Sequence, residues 1–213
     1  MGERILELIL SLPPILLALT VHEYFHGYVA YRMGDPTAKF AGRLTFNPLK
    51  HIDPIGFFAF IFFRFGWAKP VPVNPYNFYD YKKGIVLTSI AGPGSNFILA
   101  LISGILLRII HLSPISDTLF PLMLMLKLSI IYNLILCAFN LIPVPPLDGS
   151  KFLFNILPRR YSELEYQLER YGLFILIGLI FIDNMGIPLL WGWIGPFVKF
   201  FGTLFGGEGL FFI

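Results

Sequence analysis

Charge is scarce in this sequence. Only 14% of its 213 residues are Asp, Glu, Lys or Arg, against about 25% in an ordinary soluble domain. Apolar residues make up 56%, and the mean hydropathy is +0.72. Several uncharged runs approach the roughly 20 residues that cross a bilayer. This composition excludes a large soluble domain and indicates a polytopic membrane protein.

Cysteine is almost absent, since Cys137 is the single one in the sequence. One thiol excludes an internal disulfide and a cysteine-based metal cage. No cleaved leader is indicated, because the apolar run that starts near Leu8 continues into the next segment without a small-residue cleavage site. The net charge of +3 carries no sign of nucleic-acid binding, so no nucleic-acid partner is expected.

Helices of membrane length are predicted at about 8–33, 85–110 and 119–142. The run Phe57–Phe63 is too short to cross a bilayer and is interpreted as re-entrant or interfacial. Residues 34–56 are rich in Gly, Pro, Asn and Asp, and they predict a loop with two short strands.

The tail from 158 to 213 is interpreted either as one long span or as a two-helix hairpin. The sequence therefore predicts an all-α polytopic membrane protein with about five or six transmembrane or re-entrant helices and short β or extended elements in its cytoplasmic-side loops. We expect a single membrane domain over 1–213, with its core at about 5–157.

The distribution of basic residues predicts an orientation. If Phe57–Phe63 does not cross, most of the 16 basic residues lie on one side of the membrane. The positive-inside rule places that side in the cytoplasm and the N-terminus outside. The basic residues predicted on the cytoplasmic side are Arg32, Lys39, Arg43, Lys50, Arg64, Lys69, Lys82, Lys83, Lys151, Arg159, Arg160 and Arg170.

Two histidines and a glutamate stand in the order His-Glu-x-x-His at His22, Glu23 and His26. The histidines are four residues apart, so on a helix they share one face and can bind one metal ion. Glu23 lies about 100° round that helix, where it can act as a general base toward water. The alternative is that the histidines only satisfy each other or the backbone, which would leave Glu23 in an apolar segment without a role.

A catalytic zinc site uses three protein ligands and one open position. The soluble zincin pattern would need Gly and His where Val29 and Arg32 stand, so the third ligand must lie elsewhere. Asp148 is a candidate, because it follows a long apolar helix that prolines interrupt. Broken backbone at membrane depth occurs where it is packed in protein or lines a wet cavity. The other aspartates are interpreted as turn or cap residues: Asp35, Asp53, Asp80, Asp117 and Asp183.

The His-Glu-x-x-His helix, together with the later segment NLIPVPPLDG, resembles the site-2 protease family of intramembrane zinc metalloproteases. The segments GDPTAKFAGRLTFNPLKHIDPIG and AGPGSN are similar to the compact bacterial and archaeal branch, without a PDZ or CBS domain. The resemblance covers about Thr20 to Leu157. It implies an enzyme that hydrolyses peptide bonds within or near transmembrane segments of other proteins in the lipid bilayer.

By position, the resemblance implies that His22, His26 and Asp148 bind one Zn²⁺ per chain and that Glu23 activates water. It also places Asn140 near the site. We expect its amide to donate to the substrate carbonyl or the oxyanion, the alternative being a helix–helix hydrogen bond.

Two further polar residues are given no catalytic role by the sequence. Asn96 is interpreted as a packing residue. For His51 two interpretations remain: a loop histidine, or a residue that lies near the site or in a loop that contacts the substrate.

The position of His22 along its helix predicts the depth of the site. Counted from Ile5, it lies about 25 Å along a helix that crosses a hydrocarbon core about 30 Å thick. A zinc site there would lie inside the membrane near its cytoplasmic face, within reach of water. The segment KPVPV, residues 69–73, could add an extended strand beside an unwound substrate.

Two other functions use the same residues. One is a non-catalytic membrane binding protein of this fold, which the intact Glu23 disfavours. The other is a metal transporter with the three candidate ligands as a transit site, which the lack of inverted repeats disfavours.

Overall fold

A computed structural model describes residues 2–63, 66–112 and 118–211 of the chain. Arg64 and Asp117 of the sequence analysis lie outside the described residues. The described part is helical and contains no β-strand. Its α-helices are α1 (Gly2–Arg32), α2 (Thr37–Phe40), α3 (Pro54–Phe63), α4 (Tyr81–His111), α5 (Phe120–Asn140), α6 (Asp148–Ile156), α7 (Ser162–Asn184) and α8 (Leu189–Gly206).

The three predicted helices of membrane length correspond to α1, α4 and α5. By length and composition, α4, α5 and α8 are the described helices apolar enough to cross a membrane, and α1 is not among them. The helix α3 has ten residues and is therefore only about 15 Å long. This length agrees with the expectation that Phe57–Phe63 does not cross.

Hydrogen bonds at both ends of α8 fix its direction relative to its neighbours. Near the C-terminus of α8, Arg108 of α4 donates to the carbonyls of Leu204 and Phe205. Near its N-terminus, Trp193 Nε1 donates to the carbonyl of Ala138, close to the end of α5. The helix α8 therefore runs parallel to α4 and antiparallel to α5.

The core lies between α4, α5 and α8. Ala100 of α4 and Ile130 and Leu134 of α5 are fully buried in it. Val198 of α8 packs there and is 5% exposed. Lipid is as apolar as these side chains, so close packing and polar contacts between helices hold such a bundle together. One such contact joins Ser103 of α4 to Ser129 of α5 at 2.9 Å.

The expectation of two short strands in residues 34–56 is wrong for the described chain. That stretch forms α2 and a 3₁₀ turn at Pro48–Lys50, with one isolated bridge between Ile52 and Ala68. Its own polar and proline residues explain the difference. Pro48 begins the 3₁₀ turn, and the side chain of Asn47 accepts the Leu49 N–H that a strand would present to a neighbour.

The predicted turn and cap aspartates have those roles in the described residues. Asp53 accepts from the N–H of Gly56 at the start of α3, and Asp80 accepts from Lys83 at the start of α4. Asp183 accepts from Leu190 at the start of α8. This last bond closes the turn between α7 and α8, so the tail forms two helices.

Asp35 joins the end of α1 to the loop before α4. It is fully buried, and its carboxylate accepts from the Thr37 hydroxyl, the Asn74 N–H and the Asn77 side-chain amide. Burial opposes ionisation of this carboxyl. The hydrogen bonds outweigh it and hold the pKa of Asp35 below its ordinary value of 3.8.

Replacing Asp35 by Asn should lower the free energy of unfolding by about 1.5–3 kcal/mol at pH 7. The folded carboxyl has the lower pKa, so its contribution is complete above 3.8 and is lost as the pH falls through the folded value. Thermal unfolding in detergent from pH 7 to pH 3 should show wild type and variant converging at the acid end. Asp80→Asn is the control, and a constant difference across this range would contradict the assignment.

Candidate metal site

His22, His26 and Asp148 meet at one point, as the sequence predicts. His22 Nε2 and His26 Nε2 are 3.0 Å apart, and Asp148 Oδ2 lies 3.3 Å from the first and 2.9 Å from the second. His22 is 6% exposed and Asp148 7%. The three side chains form a buried group that could hold a metal ion.

The break after α5 places Asp148 in this group. The helix α5 ends at Asn140, and α6 begins at Asp148 after the proline-rich turn. Gly149 lies so close to the Leu141 and Ile142 carbonyls that a Cβ there would overlap main-chain atoms. This close approach folds the start of α6 back onto the end of α5 and turns Asp148 toward α1.

Acceptor-only partners determine which ring nitrogen of each histidine carries a proton. His26 Nδ1 lies 2.7 Å from the carbonyl of Thr88, which can only accept, so Nδ1 must carry the hydrogen. His22 Nδ1 lies 2.6 Å from Asn96 Oδ1. With Nδ1 protonated, each neutral imidazole presents the lone pair of Nε2 to the group.

Asn96 can be oriented in one way only. Its Nδ2 donates to the Ala18 carbonyl at 3.0 Å and to Asn133 Oδ1 at 2.7 Å, while Asn133 Nδ2 donates to the Ser129 carbonyl at 2.8 Å. Both carbonyls are acceptors, so Asn96 Oδ1 is left to accept from His22. Asn96 and Asn133 are fully buried. A chain of hydrogen bonds across α1, α4 and α5 thus orients the His22 ring.

This donor set fits a zinc ion. Two nitrogen lone pairs and a carboxylate oxygen within 3.3 Å of one another repel unless a cation lies among them. Ligand atoms of tetrahedral zinc, with bonds of about 2.0–2.2 Å, are about 3.3–3.6 Å apart, and the three atoms here, at 2.9–3.3 Å, need to separate by only a few tenths of an ångström. Protonated Nδ1 atoms with outer partners are typical of histidine ligands.

Glu23 lines the same cavity as the three candidate ligands, a space of about 350 Å³. One wall of that cavity is formed by residues 69–78, here called the strap. Glu23 Oε2 accepts from the Val71 N–H of the strap at 2.7 Å. Lys151 also lines this cavity, and its Nζ lies 3.6 Å from Asp148 Oδ1.

The other sequence candidates divide between the site and its surroundings. Asn140 lines the cavity and donates to the Leu136 carbonyl of its own helix at 3.0 Å. His51 lies outside the group and bonds the Thr45 carbonyl through Nε2. Asn96, interpreted from sequence as a packing residue, contacts a candidate ligand directly.

A sequence signal for Asn96 does exist. Gly92 and Asn96 are four residues apart in AGPGSN, so they share the face of α4 that packs against the two histidines. Gly92 makes room for the imidazoles and Asn96 bonds one of them.

Comparison with known proteins agrees with this geometry. Residues 108–182 match the model of peptidase family M50. YwhC of Bacillus subtilis (strain 168), whose name assigns it provisionally to the zinc metalloproteases, is 41% identical over 203 residues, covering 89% of this chain and 90% of YwhC. The chain belongs to the M50 (site-2 protease) family.

Two other relatives are more distant. Rip2 of Mycolicibacterium smegmatis, also named provisionally as a zinc metalloprotease, is 29% identical over 78% of this chain and 64% of its own length. Zinc metalloprotease MJ0392 of Methanocaldococcus jannaschii is 29% identical over 71% of this chain and 35% of its own length. No solved structure matches the chain.

Replacing Gly92 by Ala should weaken zinc binding to this M50 protein. The added Cβ would lie 2.7 Å from His22 Nε2 and would overlap His26, so both rings must shift from their positions. We expect a loss of affinity of about 10- to 100-fold, the size seen when the support of a ligand is removed. Gly94→Ala is the matched control, because its Cβ meets only Ile90, at 3.9 Å. Competition with a zinc chelator measures both variants, and equal affinities would contradict the proposed ligand positions.

Proposed function

We propose that this M50 protein is an intramembrane zinc endopeptidase that cleaves peptide bonds within or near transmembrane segments of other proteins. One Zn²⁺ per chain would be held by His22, His26 and Asp148. The observation that carries the proposal is the convergence of these three donors with Glu23 in one cavity inside a bundle of apolar helices.

The roles of the residues follow from their positions. When bound, zinc supplies a Lewis acid that polarises the scissile carbonyl. Glu23 takes a proton from the attacking water and returns it to the departing amide nitrogen. One N–H of the Asn140 amide is held by the Leu136 carbonyl, and the second is available to the oxyanion.

A second, apolar cavity of about 470 Å³ supports a membrane-embedded substrate. Ile15 and Leu19 line it from α1, and Leu136 and Phe139 line it from α5. Leu19 lies one turn before Glu23, and Phe139 directly precedes Asn140. Apolar surface therefore leads along both helices to the proposed catalytic groups, and we expect substrates with helix-breaking residues near the cut.

The position of the site along α1 supports access of water from the cytoplasm. His26 lies six residues before Arg32, where α1 ends, a rise of about 9 Å. Lys82 and Lys83 lie at the start of α4, whose Thr88 contacts His26. Basic residues at these helix ends favour a multi-pass protein with the site near the cytoplasmic face and the N-terminus outside.

The strap limits the hypothesis of an added substrate strand. Lys69 N–H donates to the His51 carbonyl, and Arg43 donates to the carbonyls of Lys69 and Pro70. The Val71 N–H is bonded to Glu23. These main-chain groups of residues 69–71 are already bonded, so an extended substrate would have to pair with main-chain atoms that follow the Val71 N–H.

Glu23→Gln should retain zinc and lower kcat by about 10²- to 10⁴-fold, because the amide cannot take the proton. The measurement is cleavage of a transmembrane substrate by purified protein in detergent, with zinc counted per chain. Glu165→Gln on α7 is the control and should behave like wild type. A Glu23→Gln variant that cleaves like wild type would refute the role of Glu23 as the base. A wild type that binds zinc but cleaves no transmembrane substrate would support the metal-transporter or binding-protein alternatives, and wild type without zinc would refute the ligand assignment.

Asn140→Leu should lower kcat by about 10²- to 10³-fold with zinc content unchanged, as for loss of an oxyanion donor. Asn155→Leu is a matched control, because Asn155 of α6 is also half-buried and donates to the carbonyl four residues earlier, but does not line the cavity of the candidate ligands. Equal activity of the two variants would leave Asn140 with a structural role.

A further inference from the structure

Glu23 is held by a segment far from it in sequence. Its Oε2 accepts from the Val71 N–H, 48 residues later, at 2.7 Å. Within the described part of the chain, no donor is bonded to Oε1. A backbone amide therefore engages one oxygen of the proposed base and leaves the other for a proton.

Within residues 70–72 of the strap, the sequence leaves a single main-chain N–H donor, that of Val71. Pro70 and Pro72 flank Val71 and have no N–H. The Val71 side chain is buried, and its Cγ1 lies against Gly27 of α1, one turn after Glu23. The two flanking prolines and the packing of the side chain on α1 therefore fix the position of the Val71 N–H.

Buried charged groups anchor the strap on either side of Val71. Arg43, which is 7% exposed, donates to the Lys69 carbonyl at 2.6 Å and to the Pro70 carbonyl at 3.3 Å. Asp35 accepts from the Asn74 N–H at 2.7 Å and from the Asn77 amide at 2.8 Å. These contacts hold the strap to the loop that follows α1.

We propose that the strap is a positioning element for Glu23, and that the Val71 N–H fixes the carboxylate in the orientation in which its second oxygen takes a proton from water. This inference rests on the proposed function. It assigns Val71 no contact with substrate or metal, so loss of its N–H should affect kcat but not zinc binding or KM.

The decisive variant replaces the Val71 amide by an ester, using the α-hydroxy acid that corresponds to valine. This change removes the donor and keeps the side chain. We expect kcat for a transmembrane substrate to fall about 10- to 100-fold, the size of effect that misplacement of a catalytic group produces, with KM and zinc per chain unchanged. In a Glu23→Gln background the ester should have no further effect on the residual rate.

Two other variants complete the test. Val71→Pro also removes the N–H and should behave like the ester, whereas the conservative Val71→Ala keeps it and should recover most of the activity. An ester at Leu49 is the matched control, because it removes an N–H that donates to the Asn47 side chain at 3.0 Å in an exposed loop. If Val71→Pro does not fold, the kcat of the ester variant is by itself the test of the proposal.

Three outcomes would overturn the proposal: an unchanged or raised kcat in the ester variant, a loss of zinc, or an effect confined to KM. A raised kcat would mean that the strap restrains the base in an inactive position. If Glu23→Gln is inactive while the ester is fully active, the protease function stands and the strap has no part in it. If Glu23→Gln is fully active, Glu23 is not the base and the strap has no base to position. If wild type cleaves no transmembrane substrate, the proposed function itself fails.

Discussion

Two imidazole Nε2 atoms and a carboxylate oxygen lie within 3.3 Å of one another inside a bundle of apolar helices. A shared proton or a bound metal ion would remove the repulsion between their lone pairs. Three features of the surrounding helices bring these atoms together. The helix α1 places the histidines on one face, Gly92 lets α4 approach them, and the broken end of α5 returns Asp148 to them. An apolar bundle keeps such a polar cluster only when every member is oriented by its neighbours.

That orientation is achieved with uncharged groups. His22 is held by Asn96, which is held in turn by Asn133 and the Ala18 carbonyl, and His26 is held by the carbonyl of Thr88. Amides and carbonyls cost less to bury than carboxylates, so the bundle can orient the two histidines without adding a charged group beside them. The charged anchors, Asp35 and Arg43, lie in the loops beyond the helix ends, where they hold the strap.

Two cavities of different character lie along α1 and α5, one containing the candidate ligands and the other one helical turn away. One contains the candidate ligands and Glu23 and is bounded by the strap, while the other is apolar and lies between α1 and α5. Hydrolysis of a peptide bond in a membrane needs both, because water and an apolar substrate must reach the same atoms. Leu19 and Phe139, at the edge of the apolar cavity, lie next to the proposed catalytic residues of α1 and α5.

The sequence alone determined the helices, the His-Glu-x-x-His face and the candidacy of Asp148, because helix periodicity, hydropathy and proline placement are local properties. It failed for the predicted strands at 34–56, where Asn and Pro side chains satisfy the backbone within the loop. Only the tertiary structure decided that Asn96 and Asn133 orient His22 and that the Val71 N–H contacts Glu23. Those contacts join residues from 37 to 78 positions apart, and helix packing, rather than local pattern, determines which side chains meet.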